Sequence, residues 1–447
     1  MIFNLRDKQI PDKTGNIMLI IHNELLLDFI RSKYTSDDIK DLYDFLRFKG
    51  VLRFEPLDNG LFPAAKVEGE TLYTGYTSVW VRDNIHIAHA HFISGKRDTA
   101  IKSITSLMAY FRNHKHRFDE IIAGKTNYHN PMNRPHIRFN GNNLEEINQK
   151  WAHAQNDALG YFLWLYCKLA IEGAVHPKAE DVDILLRFPH YWQVIGYWND
   201  EDSGHWEETR KISASSIGVV VAALQLLKQY LTVYYESCAK PVSLDLIQNL
   251  IDKGRKKLNQ ILPAECLQAD HNQYRRYDSA LLFLIYPLNI VSDTMADQIL
   301  DDVISNLQGD HGIRRYLGDS YWSADYKKQL APESRTIDFS DDLSARNSLL
   351  KKGEEAQWCI FDPVVSVIFG LKYQQTKHKK YLEQQTHYLN RSLGQITGCD
   401  NGIGEFLCPE SYYLEDGRYM PSDPTPLYWT QANLMCALKT MENSLEN

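Results

Sequence analysis

The sequence predicts an all-α protein, a toroid of paired helices, and three observations predict it. Apolar residues recur at spacings of three and four in about a dozen segments. Alternating apolar and polar runs of the strand kind are few. No Gly/Ser linker or low-complexity tract divides the chain, and its 16 Pro are spread between the helical segments. At 447 residues, length alone would allow about three domains. The unbroken helical pattern argues instead for one, spanning 1–447.

Taken in order, residues 1–74 are expected to be an N-terminal helical part. Leu19, Ile20, Leu25, Leu26 and Ile30 mark one helix there, and Ile39, Leu42 and Leu46 a second. Helices then follow near 80–94, 97–112, 151–173, 213–235, 243–261, 277–290, 293–307, 357–373, 378–395 and 425–441. Several are entered through Ser, Asp or Thr, whose side chains cap a first turn. Long stretches rich in aromatic and polar residues separate them: 56–79, 124–150, 188–212, 308–356 and 397–424. Loops of this length in a compact domain are usually functional. A toroid of hairpins would gather one set of them at one end as a cleft. The charged segment Ser323–Gly353 lacks a period and reads as a solvated surface insertion rather than a cover for that cleft.

Composition narrows the function. Hydrophobic residues make up 44%, enough for a large core, and charged residues 24%, which together exclude disorder. With 49 Lys+Arg against 57 Asp+Glu, the net charge of −8 argues against nucleic acid or an anionic membrane as main partner, since both need clustered positive charge. The apolar stretches Ile217–Leu227 and Ala280–Val291 are interrupted and fall short of the roughly 18 uninterrupted apolar residues of a spanning helix. The first residues mix charge and Pro, unlike a cleavable signal peptide. Seven scattered Cys without a CxxC read as free thiols. The expected address is cytoplasmic.

Four clusters in the loops carry chemistry. They are Gly75–Asn84 with Tyr76, Trp80, Arg82 and Asp83; Trp151–Asp157 with Gln155; Gly204–Arg210 with Trp206, Glu207 and Glu208; and Cys408–Tyr412 with Glu410, followed by Pro424–Trp429. Trp and Tyr faces beside Asp, Glu and Arg suit sugars, whose C–H faces stack on aromatics while their hydroxyls take charge-assisted hydrogen bonds. The same composition also occurs in ordinary cores and rims.

In order and spacing these clusters resemble glycoside hydrolase family 15, the glucoamylases, and especially the branch similar to the amino-terminal domains of phosphorylase kinase regulatory subunits. Tyr76…Trp80-x-Arg82-Asp83 resembles the family's motif for the terminal glucose, and Trp151-x-x-x-Gln155-x-Asp157 its second motif. Trp206-Glu207-Glu208 resembles the element bearing the general acid, and Gly312–Tyr316, with Arg315, a substrate-binding Arg-Tyr element. Glu354–Trp358 resembles the start of a later inner helix, and Pro409-Glu410 with Thr425–Trp429 the general-base region. The resemblance runs from Gly75 to Trp429.

The resemblance implies an (α/α)6 barrel and an inverting, exo-acting α-glucosidase. It would release β-glucose from the non-reducing ends of α-glucans or small α-glucosides. Neither cofactor nor metal is expected, and the protein would be a monomer or weak homo-oligomer. Glu207 is implied as acid and Glu410 as base. By residue chemistry alone Glu207 serves equally as a carboxylate stabilising a helix N-terminus. Trp206 and the charge of Glu208 would raise its pKa, and Glu208 would hydrogen-bond sugar hydroxyls. Tyr76, Arg82 and Asp83 would form a claw on the terminal ring. Arg315 would lie over or beside it, Trp151 would wall it, and Gln155, Asp157, Trp80, Trp206 and Trp429 complete the substrate set. Glu410 would be ionised on the acidic limb of a bell-shaped pH profile, and Glu207 protonated until the alkaline limb. His86, His89, His91, His114 and His116 are expected to be satisfied structural residues, because zinc needs three or four converging ligands. The other reading is a non-catalytic sugar-binding regulatory protein that keeps the cleft without turnover.

Overall fold

The computed structural model describes residues 8–11, 18–66, 75–234, 244–270 and 273–446. Cys238, the expected helix ends 235 and 243, and parts of 1–74 and of the loop 56–79 lie outside the described residues.

The helices are α1 (Ser36–Phe48), α2 (Val81–Ile93), α3 (Arg97–Asn113), α4 (His116–Ile122), α5 (Asn156–Ile171), α6 (Ala179–Ile195), α7 (Ala214–Tyr234), α8 (Leu244–Ile261), α9 (Leu282–Ile285), α10 (Asp293–Leu307), α11 (Tyr326–Gln329), α12 (Ser344–Asn347), α13 (Phe361–Thr376), α14 (Lys379–Gly394) and α15 (Tyr428–Glu446). Helices α2, α5, α7, α13 and α15 bury nearly every residue of their first turns, as helices that are apolar all round must. These five and the short α9 pack in a closed ring: α2 on α5, α5 on α7, α7 on α9, α9 on α13, α13 on α15, and α15 back on α2. Outside the ring, α3, α6, α8, α10, α14 and α1 each cover it with one apolar stripe, such as Ile39, Leu42 and Leu46 of α1 or Ile247, Leu250, Ile251 and Leu258 of α8. Inner and outer helices alternate along the chain, which makes the fold an (α/α)6 barrel. Helix α7 is apolar enough to cross a membrane by length and hydropathy, yet 67% of its most apolar window is buried inside the protein.

Among the described residues, four small antiparallel sheets decorate the ring: β1 (Lys8–Pro11) with β2 (Met18–Ile21); β3 (Val79–Trp80), β4 (Arg138–Asn140) and β5 (Glu145–Glu146); β6 (Cys266–Leu267) with β7 (Tyr274–Arg275); and β8 (Gln357–Trp358), β9 (Ser411–Glu415) and β10 (Arg418–Pro421).

Several expectations are corrected. The apolar run at Leu19 and Ile20 is strand β2, not a helix. After it, Asn23 accepts a bond from the Leu25 backbone and opens a 3-10 helix, Glu24–Phe29. The helix expected over 277–290 shrinks to a 3-10 turn and the four residues of α9. Tyr286, preceding Pro287, is forced out of the helical region to φ −137°, ψ 128°. The loop expected from 188 begins inside α6, whose interior Pro189 is buried between Phe188 and Tyr191. Burial of Leu185, Phe188, Tyr191 and Trp192 there outweighs the roughly 3 kcal/mol disadvantage of an interior proline. Neither α6 itself nor the short α4 was expected. Among the described residues six Cys are free thiols, all buried except Cys399.

The segment 323–353 is also more than a solvated insertion. Its Arg335 and Arg346 are buried, and Thr336–Phe339 line the main cleft. Two buried charges must be neutralised from within the protein, and both are, as described below.

Candidate active site

The inner helices α2, α5, α7, α13 and α15 all begin at the same end of the barrel, and the expected motifs sit just before or inside those first turns. Their positive N-terminal ends therefore face one space, a field that favours carboxylates. That space is a cleft enclosing about 770 Å³, part of it open to solvent. Ten expected residues line it: Tyr76, Trp80, Arg82, Asp83, Trp151, Trp206, Glu207, Arg315, Glu410 and Trp429. Gln155, Asp157 and Glu208 do not. They stand behind the wall and hold residues that do.

Glu207 follows the 3-10 turn Gly204–Trp206 and sits in the left-handed region at φ 57°, ψ 39°. Such a conformation is unfavourable for a residue with a Cβ and recurs where function fixes it. Its Oε2 accepts from the Trp151 indole at 3.1 Å. Its Oε1 accepts from Gln155 Nε2 at 3.0 Å and from Arg82 Nη2 at 3.3 Å. Gln155 in turn accepts from Arg82 Nη1 at 3.0 Å, and Asp157 grips the same nitrogen at 2.7 Å. Burial raises the Glu207 pKa above the ordinary carboxylate value; Arg82, the Gln155 bond and Arg138 oppose the shift, and the charge of Asp338 adds to it.

Glu410 is held by main chain on both sides. Its N–H donates to Pro424 O at 3.2 Å, and its carbonyl accepts from Cys359 N at 2.9 Å, sewing it beside β8 and Trp358. Tyr76 Oη donates to Oε1 at 2.8 Å and also meets Tyr321 Oη at 3.0 Å. Oε2 is buried and takes no hydrogen bond from the described residues. Burial pushes the Glu410 carboxyl up to about 8, with Tyr76 and Arg315 opposing and Asp83 and Asp319 reinforcing. The free cleft thus keeps Glu410 protonated at acid pH, contrary to the expected acidic limb, because its apolar walls penalise the charge more than Tyr76 and Arg315 relieve it.

Other roles are revised by the geometry. Glu208 is fully buried, accepting from Arg346 Nη2 at 2.5 Å, Tyr316 Oη at 2.7 Å, Arg315 Nη2 at 3.0 Å and Arg275 Nη2 at 3.3 Å. Those cations hold its carboxyl far below the usual range despite burial. It neither faces sugar nor drives the Glu207 shift. The claw is altered as well. Tyr76 spends its hydroxyl on Glu410 and Tyr321, and Arg82 spends its guanidinium on Asp157, Gln155 and Glu207. Asp83 is buried on the cleft wall, its carboxyl pushed up to about 7 by burial. Arg315 is clamped by Asp319 at 2.6 and 2.7 Å, and its guanidinium lies 4.7–5.2 Å from the ring centres of Trp358, Tyr321 and Trp206. Trp429 stacks on His86 at 4.7 Å and Phe283 at 5.5 Å, and its indole N–H has no partner among the described residues.

The cleft also gathers residues given no site role from sequence: Ala64, His205, Tyr321, Thr336–Phe339, Arg346, Trp358 and Leu427. Tyr321 and Trp358 lay within quoted or flanking motifs, so aromatic enrichment was the available signal. The strap Thr336–Phe339 had none. His86, His89 and His91 pack in the core against aromatic rings, and burial lowers their pKa values, to about 3 for His89 and about 4 for His91. Among the described residues neither ring nitrogen of His91 has a hydrogen-bond partner, and aromatic packing surrounds it. Among the described residues no three His, Cys, Asp or Glu converge as metal ligands.

A family-wide sequence profile, Glycosyl hydrolases family 15, matches residues 51–432. The probable phosphorylase b kinase regulatory subunit alpha of Drosophila melanogaster is 23% identical over 325 residues, 65% of this chain and 24% of its own length. The chain therefore spans about a quarter of that relative. Among solved structures, a wild-type glycosidase superposes with a TM-score of 0.63 at 16% identity, covering 91% of this chain and 99% of its own. A glucoamylase from Saccharomycopsis fibuligera superposes with a TM-score of 0.56 at 13% identity, covering 93% and 97%. At these identities the superpositions establish the fold; the profile establishes the family. The chain belongs to family 15 of the glycosyl hydrolases.

Proposed function

We propose that the protein is an inverting, exo-acting α-glucosidase that releases β-glucose from the non-reducing ends of soluble α-gluco-oligosaccharides or a small α-glucoside. One observation carries the reading: two carboxyl groups line one aromatic cleft, each answering to its own neighbours. Burial raises both carboxyls, opposed at Glu207 by Arg82, Gln155 and Arg138 and at Glu410 by Tyr76 and Arg315. Glu207 protonates the leaving oxygen while Glu410 draws a proton from water on the opposite ring face. The productive form holds one proton between the two carboxyls, on Glu207. Tyr76 donates to Glu410 and supports its charge. Trp80, Trp151 and Trp429 supply stacking faces, and Asp83 a hydroxyl acceptor.

A panel of α-linked disaccharides and longer glucans, with product analysis at low conversion, tests this. Glucose as the sole early product supports it, and mixed oligosaccharides would show an open groove. The likeness to proteins named as kinase regulatory subunits favours a second reading, sugar binding without turnover. Measurable binding with no release from any α-glucoside would select it.

A further inference from the structure

Asp338 is the one charged side chain of the strap Thr336–Phe339 that crosses the cleft. Buried ion pairs pin both ends of that strap. Arg335 Nη1 meets Asp423 at 2.6 Å on one side, and Arg346 Nη2 meets Glu208 at 2.5 Å on the other. Asp338 Oδ1 accepts from Ser340 N at 2.8 Å, which fixes the turn. Its Oδ2 is buried and has no partner among the described residues. A buried acceptor left unpaired is unfavourable unless a ligand completes it.

Three residues beyond Asp338, Asp341 pairs with Lys150 at 2.5 Å, and the next residue, Trp151, donates its indole to Glu207, which sets this segment on the Glu207 side of the cleft. Asp338 acts on Glu207 and on Arg138, whose guanidinium stacks on Trp151 at 4.1 Å. The charges acting most on Glu410 are instead Arg315, Asp83 and Asp319. In a glycosidase the acid stands beside the leaving oxygen, so a residue on the Glu207 side of the cleft faces the leaving group.

We propose that Asp338 is a specificity-determining residue that accepts a hydrogen bond from a hydroxyl of the leaving sugar, so that a sugar is preferred there to an apolar group. The proposal rests on the reading above, and the experiment separates the two. kcat/KM is measured for wild type, Asp338→Ala and Asp338→Asn on maltose, isomaltose and p-nitrophenyl α-glucoside, each variant at its own pH optimum. Asn keeps the bond to Ser340, which guards against misfolding, and thermal melts check both variants. Loss of a charge-assisted bond should lower kcat/KM about ten- to a hundredfold on at least one disaccharide and leave the aryl glucoside within about threefold. Equal loss on all substrates would show that Asp338 serves the fold or the shared glucosyl ring, a disaccharide loss wholly in kcat with KM unchanged would show that it acts only through Glu207, and no loss would show that it is idle; any of these overturns the proposal. If the wild type cleaves no α-glucoside, the hydrolase reading fails while this one is still decided by calorimetry. Asp338→Ala should then weaken disaccharide at least about tenfold and leave glucose unchanged. Unaltered disaccharide affinity, or equal weakening of glucose, overturns it.

Discussion

Glu207 meets three donors, from Trp151, Gln155 and Arg82, and lies in a left-handed backbone conformation that aims its carboxyl into the cleft. Glu207→Gln keeps the size and removes the proton, so turnover on maltose-like substrates should fall about 10²–10⁴-fold. The melting temperature should be little changed, and an activated aryl glucoside should be partly rescued. Wild-type turnover in this variant would place the acid elsewhere. Tyr76→Phe removes the donor that lowers the Glu410 pKa. The pH–kcat/KM limbs, which belong to the coupled pair, should move to higher pH, and the neutral-pH rate should fall about tenfold. Unmoved limbs would mean that Tyr76 serves only stacking. Half of the residues lining this cleft were legible in sequence, because aromatics and carboxylates stood at recognisable spacings. Their partners were not. Adjacent Glu207 and Glu208 look interchangeable in the chain, yet one faces the cleft and the other faces Arg275, Arg315 and Arg346, contributed by distant segments.

The inner helices were predicted closely where burial is uniform, as in α2, α5, α7 and α15. Elements decided by one local residue were missed. Helix α6, which packing carries through Pro189, was not expected at all, Pro287 truncated α9, and Asn23 diverted an apolar run from helix to strand and 3-10 turn. Gly160 illustrates packing that periodicity does not reveal. A Cβ there would stand 2.9 Å from Val219 Cγ1 and 3.2 Å from the main chain of Val219 and Val220, at the contact of α5 with α7. Gly160→Ala should therefore destabilise the fold by about 1–3 kcal/mol, measured by urea unfolding, although alanine is the better helix former. A stabilised variant would mean that α7 can yield. The strap 336–339 was the element least legible of all, because its ordering depends on Asp423 and Glu208, remote in sequence.

At the scale of the molecule, buried titratable groups set the pH range of stability. His89, His91 and His205 are lowered to about 3–4 from 6.5, so the stability linked to their neutral forms is present above pH 6.5 and is lost as pH falls through 4. Asp83 and Asp202 are raised to about 7 and about 8 from 3.8, so their contribution is present at low pH and is lost as pH rises through 8. The two sets oppose each other between these limits. The melting temperature should peak in mild acid, at about pH 5–6.5, and decline toward 8; a maximum above 8 would contradict the burial of these carboxyls. The central claim is that one displacement occurs between Glu207 and Glu410. Proton NMR of freshly released glucose, read before mutarotation, tests it most directly. The account predicts the β-anomer first from an α-linked disaccharide, whereas α-glucose first, or a glycosyl group trapped on Glu410, would contradict it.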